Sequence, residues 1–581
     1  MSEDLHLPDE CWELVMKFLI INHHRYLEPL SLVSKQFLSI TNRLRFSLII
    51  SQPTLPFLPR LLLRFPSLTS LDLTRFRGDL HAPLRHISRS SLPLKSLNIS
   101  HHPTIPANGL RALGKNVKSL NSLICSDVGS LRNADLILIA DCFPFLEELD
   151  LSFPKDAGSN YPNSFDGPVS DFGVKILSLG LPKLRKINLS GNFFINDPSL
   201  ISLCKNCKFL EEVVIFECHF ITQAGIASAI GLRPCLCSLS VNNLGCGTKK
   251  GDLARPFVTS DFIDSLVRLK SLTCLDLSCS SITNELLIYI ADEGLPLRKL
   301  VLQNCSNYSY RAIFRLFGRC QFVQHLDLQN AEYLNDQRVE ELCLGFGNLI
   351  SINVSGCRML TDSALVALVR YCPLLDEIKM EATGVGRKGI EVSSMGVVVN
   401  SKVKSLHLAR NSCLKDGSIE MFASICPNLQ MLDLSSCRGI SEGIVEVLRR
   451  CCGIRHLNLA FCSGVKLVGL NFEVPKLEEL NLSLSRIDDE ALSVISKCCQ
   501  GLLHLHLENC SHVTAKGVRQ VVEICTQLRE INLRSCDKVD ASVVAWMVFS
   551  RPSLRKIMAP PSYDRSESQK RFLLRHGCMV C

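Results

Sequence analysis

Twenty-nine cysteines stand in this 581-residue chain, and closely spaced thiols can ligate metal, pair as disulfides or act as nucleophiles. Cys204-x-x-Cys207 with Cys218 and His219 is the set best spaced for metal, since three or four such ligands suit Zn²⁺. Acids and amides recur as well, at Asp72, Asn98, Asp150, Asn188, Asp276, Asp327, Asn353, Asp433, Asn458, Asn481 and Asn532. Paired carboxylates in such a row would suit general acid–base chemistry. The last four residues, Cys578-Met579-Val580-Cys581, match a Cys-a-a-X signal in which Cys578 carries a prenyl group. Lys570, Arg571, Arg575 and His576 add the basic character that supports attachment to an anionic membrane surface. No stretch sets a nucleophile beside a base and an orienting acid, and no glycine-rich phosphate cradle follows a strand-like run.

What positions these residues is a repeat. The pattern apolar-x-x-apolar-x-apolar, as in Leu429, Leu432 and Leu434, begins at residues 68, 94, 120, 146, 184, 210, 236, 272, 297, 323, 349, 375, 403, 429, 454, 477, 502, 528 and 554. Eleven of the eighteen intervals are 26 residues, a period and pattern that mark a leucine-rich solenoid. The expected fold is α/β: a horseshoe-shaped leucine-rich-repeat solenoid of about nineteen ~26-residue repeats over residues 49–560, followed by a tail over 561–581. Each unit supplies a short strand and a helix, and a binding surface rather than a catalytic pocket is the natural product of such a stack.

Numbered from the first apolar residue as zero, the cysteines fall into two columns. Position −3 holds Cys207, Cys320, Cys372, Cys426, Cys451, Cys499 and Cys525; position +8 holds Cys218, Cys305, Cys357, Cys437, Cys462, Cys510 and Cys536. Cysteine packs as a small hydrophobe, so the columns read as two interior slots per turn, kept reduced inside a cell. Cys207 and Cys218 belong to them, so the expectation is packing, with no metal and no cofactor. The Asp/Asn row falls at +4 and a serine row at +6, on the side that strand alternation turns away from the core; a solvated hydrogen-bonding ladder accounts for it without catalysis. Helices follow caps such as Thr361-Asp362-Ser363.

Departures from small or neutral residues on that side concentrate in the later repeats: Glu377, Lys379 and Glu381; His407 and Arg410; His504, His506 and Glu508; Glu530 and Arg534; and Phe461 just beyond its strand. Lys379, His407, Arg410, Phe461, His504, His506, Glu508 and Arg534 are the expected target-binding residues. Two long intervals carry insertions at 154–169 and 242–256, the second with Lys249, Lys250 and Arg255 suited to an acidic partner. A net charge of +8 from 64 basic and 56 acidic residues reads as spread along the chain, which argues against nucleic acid. With no secretory signal and no apolar run of membrane-spanning length, the expected location is cytoplasm or nucleus.

Residues 5–45 depart from the repeat. Leu7-Pro8-Asp9-Glu10 opens a helix with the apolar stripe Leu14, Val15, Phe18 and Leu19, and a second stretch from Tyr26 runs through Leu27, Leu30, Leu32 and Val33 toward a third helix ending near Arg45. This segment resembles an F-box: Leu7, Pro8 and Glu10 match the opening, Leu27 the middle, and Val33, Lys35 and Phe37 the close, with Ser34 and Phe37 in place of the usual Cys and Trp. With the repeats, the chain resembles the F-box/leucine-rich-repeat family over about nine-tenths of its length. The resemblance implies an all-α F-box at 1–48 that docks a Skp-type adaptor, and through it cullin and RING subunits, by Leu7, Pro8, Glu10, Leu14, Val15, Phe18, Leu19, Leu27, Leu30, Val33, Ser34, Lys35 and Phe37. It implies a non-catalytic substrate receptor of a ubiquitin ligase that holds a target protein on its repeats for degradation. A second reading is a small-molecule-gated receptor similar to the plant auxin and jasmonate receptors; Lys186, Lys299, Lys379 and Arg534, scattered over distant repeats, make no cradle for the phosphate-rich cofactor of those relatives.

Overall fold

The structure, a computed structural model, describes residues 7–20, 27–155, 164–244, 258–387, 399–563 and 566–581. The chain divides into two compact units, Met1–Asp276 and Leu277–Cys581.

The first unit opens with three helices, α1 (Asp9–Ile20), α2 (Leu27–Leu30) and α3 (Lys35–Arg43). Met16 and Ile20 of α1 meet Leu27, Ile40 and Leu44 in a small core, with Trp12, Leu30 and Phe37 packed against it. Trp12 and Phe37 meet edge to face at 4.8 Å. Arg43 closes the bundle by pairing with Asp9 at 2.9 Å and Glu13 at 2.7 Å. Among the described residues nine parallel strands follow, from Ser47–Ile49 to Cys274–Asp276. Helices α4 (Leu58–Arg64), α5 (His81–Ser88), α6 (Ala107–Asn116) and α7 (Asn133–Cys142) are the first four of the helices that connect them. The strand Ser47–Ile49 is in register with Ser70–Asp72, so the sheet begins inside the 1–48 segment. The repeat pattern missed it because Arg45 stands where the first apolar residue belongs.

The second unit has twelve parallel strands among the described residues, from Lys299–Val301 to Met579–Val580. In both units each strand is three or four residues long, apart from the two-residue last one, and lies one repeat away in register from the next, as in Met431↔His456. Three-residue strands have no stability alone; each is held by its neighbours and by the leucines behind it. The three pattern residues point inward throughout, and Leu429, Leu432 and Leu434 are buried. Each such leucine contributes roughly 2 kcal/mol of burial.

Polar ladders set the spacing. The +4 residue ends its strand by accepting the backbone N–H two residues on, as Asp72 does for Thr74 (2.8 Å) and Asp433 for Ser435 (2.8 Å). An amide in the next repeat often reaches the other oxygen, as in Asn458 to Asp433 at 3.0 Å. The Asp/Asn row is therefore turn chemistry, not a pair of catalytic acids. A second ladder joins successive helix starts: Asp489 accepts from Thr514 N at 2.9 Å and from its Oγ1 at 2.5 Å, and Asp336 and Asp416 take Thr361 and Ser441 in the same way.

The cysteine columns correct the expectation of simple apolar filling. Each +8 thiol points at the carbonyl of the +5 residue one repeat back: Cys218 to Leu189 (3.3 Å), Cys437 to Leu408 (3.2 Å), Cys462 to Leu434 (3.1 Å) and Cys536 to Leu507 (2.9 Å). Where the column is not cysteine, another donor can reach the same carbonyl: Asn192 to Leu151, Asn411 to Met380, and His102 Nε2 against Leu73. The −3 thiols Cys207, Cys320 and Cys525 likewise face backbone carbonyls of the preceding repeat. Cysteine serves here as a slim hydrogen-bond donor, which an apolar residue is not.

Residues 561–581, expected as a tail, carry a further repeat: the helix Glu567–Arg575 and the strand Met579–Val580, paired with Lys556–Met558. Cys581 closes the ladder by donating its N–H to Ile557 and accepting from Ala559. Cys578 is 1% exposed, and burial pushes its thiol up to about 12. A lipid on Cys578 thus requires this strand to leave the sheet. With a thiol-reactive maleimide at pH 8, we expect exposed Cys581 to label in the native protein while Cys578 is protected until denaturant is added; co-labelling of the two would contradict the burial.

Candidate functional site

Two surfaces stand out from these structural ladders. The first is on α1 and the segment after α2. Helical spacing sends Met16 and Ile20 inward, which leaves Leu14, Val15, Phe18 and Leu19 exposed on the other side of the same helix. Leu7, Leu32 and Val33 are exposed too, with Phe18 at 77% and Leu32 at 83%. Pro8 and Lys35 are exposed, as is Glu10 in the first turn of α1. The remaining residues expected to touch the adaptor do other work: Leu27 is buried in the helical core, Leu30 and Phe37 pack against it, and Ser34 caps α3 by accepting from Phe37 N at 3.1 Å. Leu32 belongs to the apolar surplus that the sequence offers a partner helix along with Leu14, Val15, Phe18, Leu19, Leu30, Val33 and Phe37.

The second surface is the strand side of the second unit, at repeats where the +4 turn residue has been given up. Lys379, His407 and His506 stand there in place of Asp or Asn, losing the local turn bond but gaining reach. Around the first two, Glu377 lies 3.1 Å from Lys379 and 3.6 Å from His407, accepts from Ser351 at 2.7 Å, and Ser405 Oγ is 3.0 Å from His407 Nε2. Serine, histidine and glutamate thus meet, but both contacts fall on the same nitrogen. The acid does not orient the opposite side of the ring, so no nucleophile-activating relay exists.

Further along, His456 Nδ1 and His506 Nε2 flank one carboxylate, Glu479, at 3.1 and 3.6 Å. His504, Glu530 and Lys556 continue the row, with Lys556 against Glu530 at 2.5 Å. Hydrogen bonds from His456 and His506 hold the Glu479 carboxyl well below the usual carboxylate range, and burial lowers His504. Glu508 accepts from Asn532 at 3.1 Å, and Arg534 is exposed beside it. The sequence reading singled out His504, His506, Glu508 and Arg534 and did not name His456 and Glu479, of which Glu479 lies against both His456 and His506; their signal was the charged +2 row itself.

A depressed folded-state pKa means that Glu479 adds stability above its ordinary value near 4.5 and loses it as pH falls below. We expect the melting temperature of the parent to exceed that of Glu479→Gln above about pH 5, and the gap to close as pH drops below about 4. The effect is small, about 0.5–1 kcal/mol for a half-exposed pair. A gap that widened in acid would contradict the assignment.

Phe461 and Arg410 sit at position +7, where nearly every repeat turns through positive φ (+60° and +61°). Some repeats put Asn or Gly there, as at Asn330 and Gly356, and others carry side chains such as Glu217, Leu484 and Ser535 in the same conformation. A half-exposed phenylalanine in that conformation costs about 1 kcal/mol of strain. Phe153 of the first unit holds the same position, exposed at φ +52°.

Lys249, Lys250 and Arg255 lie outside the described residues, as does 156–163 of the other insertion. The described end of that insertion is pinned to α7, where buried Asn133 donates to Ser164 O. In the candidate zinc set, Cys207 and Cys218 face carbonyls, burial pushes both thiols up to about 12, and the His219 ring stacks on Phe193 at 5.9 Å. Lys186 and Lys379 are each paired with a glutamate, at 3.3 and 3.1 Å. Among the described residues no helix is long and apolar enough to cross a membrane.

A family model described as "Leucine Rich repeat" matches residues 475–496. A transport inhibitor response 1-like protein of Oryza sativa subsp. japonica is 21% identical over 502 residues, covering 78% of this chain and 83% of that protein. The F-box/LRR-repeat protein 4 of Bos taurus is 27% identical over 142 residues, 24% of this chain and 22% of its own length. Against another relative, from mouse, the chain spans 15% of the relative's length. Among solved structures, the yeast Rad7 and Elc1 complex gives a TM-score of 0.45 at 18% identity, covering 82% of this chain and 98% of that one.

Proposed function

We propose, taking the chain as a member of the F-box/leucine-rich-repeat family, that it is the substrate-recognition subunit of a cullin-based ubiquitin ligase. The observation that carries this reading is the two-sided α1. One face builds the helical core, while Leu14, Val15, Phe18 and Leu19 stay exposed with Leu32 and Val33 nearby. A helix that only capped the first repeat would need one apolar face; the second is available to a Skp-type adaptor, and exposed apolar patches of this kind mark protein contacts.

The strand side of the second unit would then hold the target protein. Lys379, His407, His504, His506, Glu508 and Arg534 give it charge of both signs, and Phe461 and Arg410 project from the turns as anchors. The chain itself transfers no ubiquitin; it raises the effective concentration of target near a charged enzyme brought by the cullin and RING subunits. Such a subunit works in cytoplasm or nucleus.

The test is assembly from purified parts. The full chain is mixed with a Skp-type adaptor and a cullin–RING scaffold and resolved by size exclusion. Co-elution of all components is expected; a full chain that elutes alone at micromolar concentrations would sink the reading.

A further inference from the structure

The net charge of the chain is not spread evenly. Residues 52–120 contain ten basic and two acidic side chains, an excess of eight that equals the net charge of the whole protein. Seven of the ten basic residues lie on three successive helices or just past their ends, while Arg75, Arg77 and Lys95 lie in the segments flanking the strands. On α4, Leu58 and Leu62 point into the core, so Arg60 and Arg64 face out; on α5, Leu84 and Ile87 are buried and Arg85 and His86 face out. On α6, Leu110 and Leu113 are buried and Arg111 and Lys115 face out. Because the repeats stack these helices side by side, bases far apart in sequence become rows on one outer face. Arg89 and Lys118, just past the ends of α5 and α6, extend them.

These cations have no carboxylate partner. Among the described residues, none of Arg60, Arg64, Arg85, Arg89, Arg111 and Lys115 lies within ion-pair distance of a carboxylate, whereas Arg43 nearby is doubly paired. The acids near this face are Asp79 in the loop before α5 and Asp141 on α7.

Two apolar grooves lie between the rows. One, of about 450 Å³ between α4 and α5, is floored by Pro59, Leu62, Leu63, Pro66 and Leu92 with Arg89 at its edge. Leu63 is 83% exposed there. The other, of about 420 Å³ between α6 and α7, is lined by Ile137, Leu138 and Phe165 with three cations, Arg111, Lys115 and Lys118, against one acid, Asp141.

We propose that the outer face of α4–α7 is a docking surface for an acidic, amphipathic peptide segment of a partner protein. Unpaired cations bordering aliphatic grooves complement a segment that alternates carboxylates with leucine-like side chains. Glutamates and aspartates meet the guanidinium rows while apolar side chains fill the grooves. Nucleic acid fits less well, since phosphodiesters have no use for an aliphatic floor, and the rings at the grooves, His86 in the first and Phe165 in the second, stand singly rather than as a run of stacking platforms. The proposal stands apart from the adaptor reading, because none of these residues belongs to the helical segment before the repeats.

The test uses the full chain and three fluorescent probes in anisotropy titrations. They are a short Glu-Glu-Leu-Leu repeat peptide, the same peptide with Ser for Leu, and a single-stranded DNA of equal charge. The leucine peptide is expected to bind, the serine peptide roughly tenfold more weakly, and the DNA more weakly than the leucine peptide. Arg85→Glu with Arg89→Glu is expected to weaken the leucine peptide roughly tenfold, and Leu63→Ser to weaken it with the salt dependence preserved. These exposed variants retain the parental melting temperature and adaptor binding, which separates loss of docking from misfolding. No binding of the leucine peptide, equal binding of the serine peptide, tighter binding of DNA, or indifference to the variants would each overturn the proposal.

Discussion

Replacing Phe18 and Val33 together by aspartate is expected to weaken adaptor binding more than a hundredfold while the melting temperature moves by less than about 2 °C. Both side chains are largely exposed, so folding loses little when they become charged; surface changes are usually worth less than about 0.5 kcal/mol. Under an adaptor the same aspartates would be desolvated without partners, a penalty of several kcal/mol. As a contrast, Leu27→Asp places a charge in the helical core with Met16 and Ile40 and should unfold that bundle. A pull-down with the adaptor beside a thermal scan measures both. Unchanged affinity in the double variant would remove the basis of the adaptor assignment. Deleting residues 1–48 is a poorer test, because it also removes most of the first strand, Ser47–Ile49, and leaves Ser70–Asp72 without its register partner.

The second large effect concerns the +8 column. Cys437 is fully buried, its thiol is pushed up to about 12 by burial, and it donates to Leu408 O at 3.2 Å. Cys437→Asp is expected to cost several kcal/mol, since a carboxylate there has no compensation. The informative pair is serine against valine. Serine keeps a donor and should cost about 1 kcal/mol; valine keeps the volume but leaves the carbonyl unpaired, at about 1–3 kcal/mol. Denaturant melts rank the variants. If valine proved the more stable of the two, the column would be ordinary apolar packing after all. A chelator should leave the melting temperature unchanged in every case.

Much of the fold was legible because a solenoid repeats its constraints. Each unit must bury three apolar residues at fixed offsets, so the pattern declared nineteen strands before any contact was known. It failed at the ends, where the physics differs. The first strand, Ser47–Ile49, has the helical bundle ahead of it, so Arg45 is tolerated at its first position. The last, Met579–Val580, has two strand residues and not the full pattern, and its residues looked instead like a modification signal. The cysteine columns were visible as columns, but their meaning was not, since a carbonyl one repeat back can be identified as the acceptor only when the repeats are stacked.

By itself the sequence determined the repeat, its strand-and-helix character, the helical segment ahead of it, and which later repeats break the rule on their strand side. Those are consequences of local periodicity and residue type. Tertiary structure alone decided which of those departures act together. Spacing along the chain could not bring Glu479 to His456 and His506, because sheet register across three repeats sets those distances. The same holds for α1, whose two apolar faces are equivalent in composition until Met16 and Ile20 are seen to be the buried pair. It holds for the basic rows of α4–α6 as well: residues about 25 apart become neighbours only because parallel stacking places the same turn of each helix side by side.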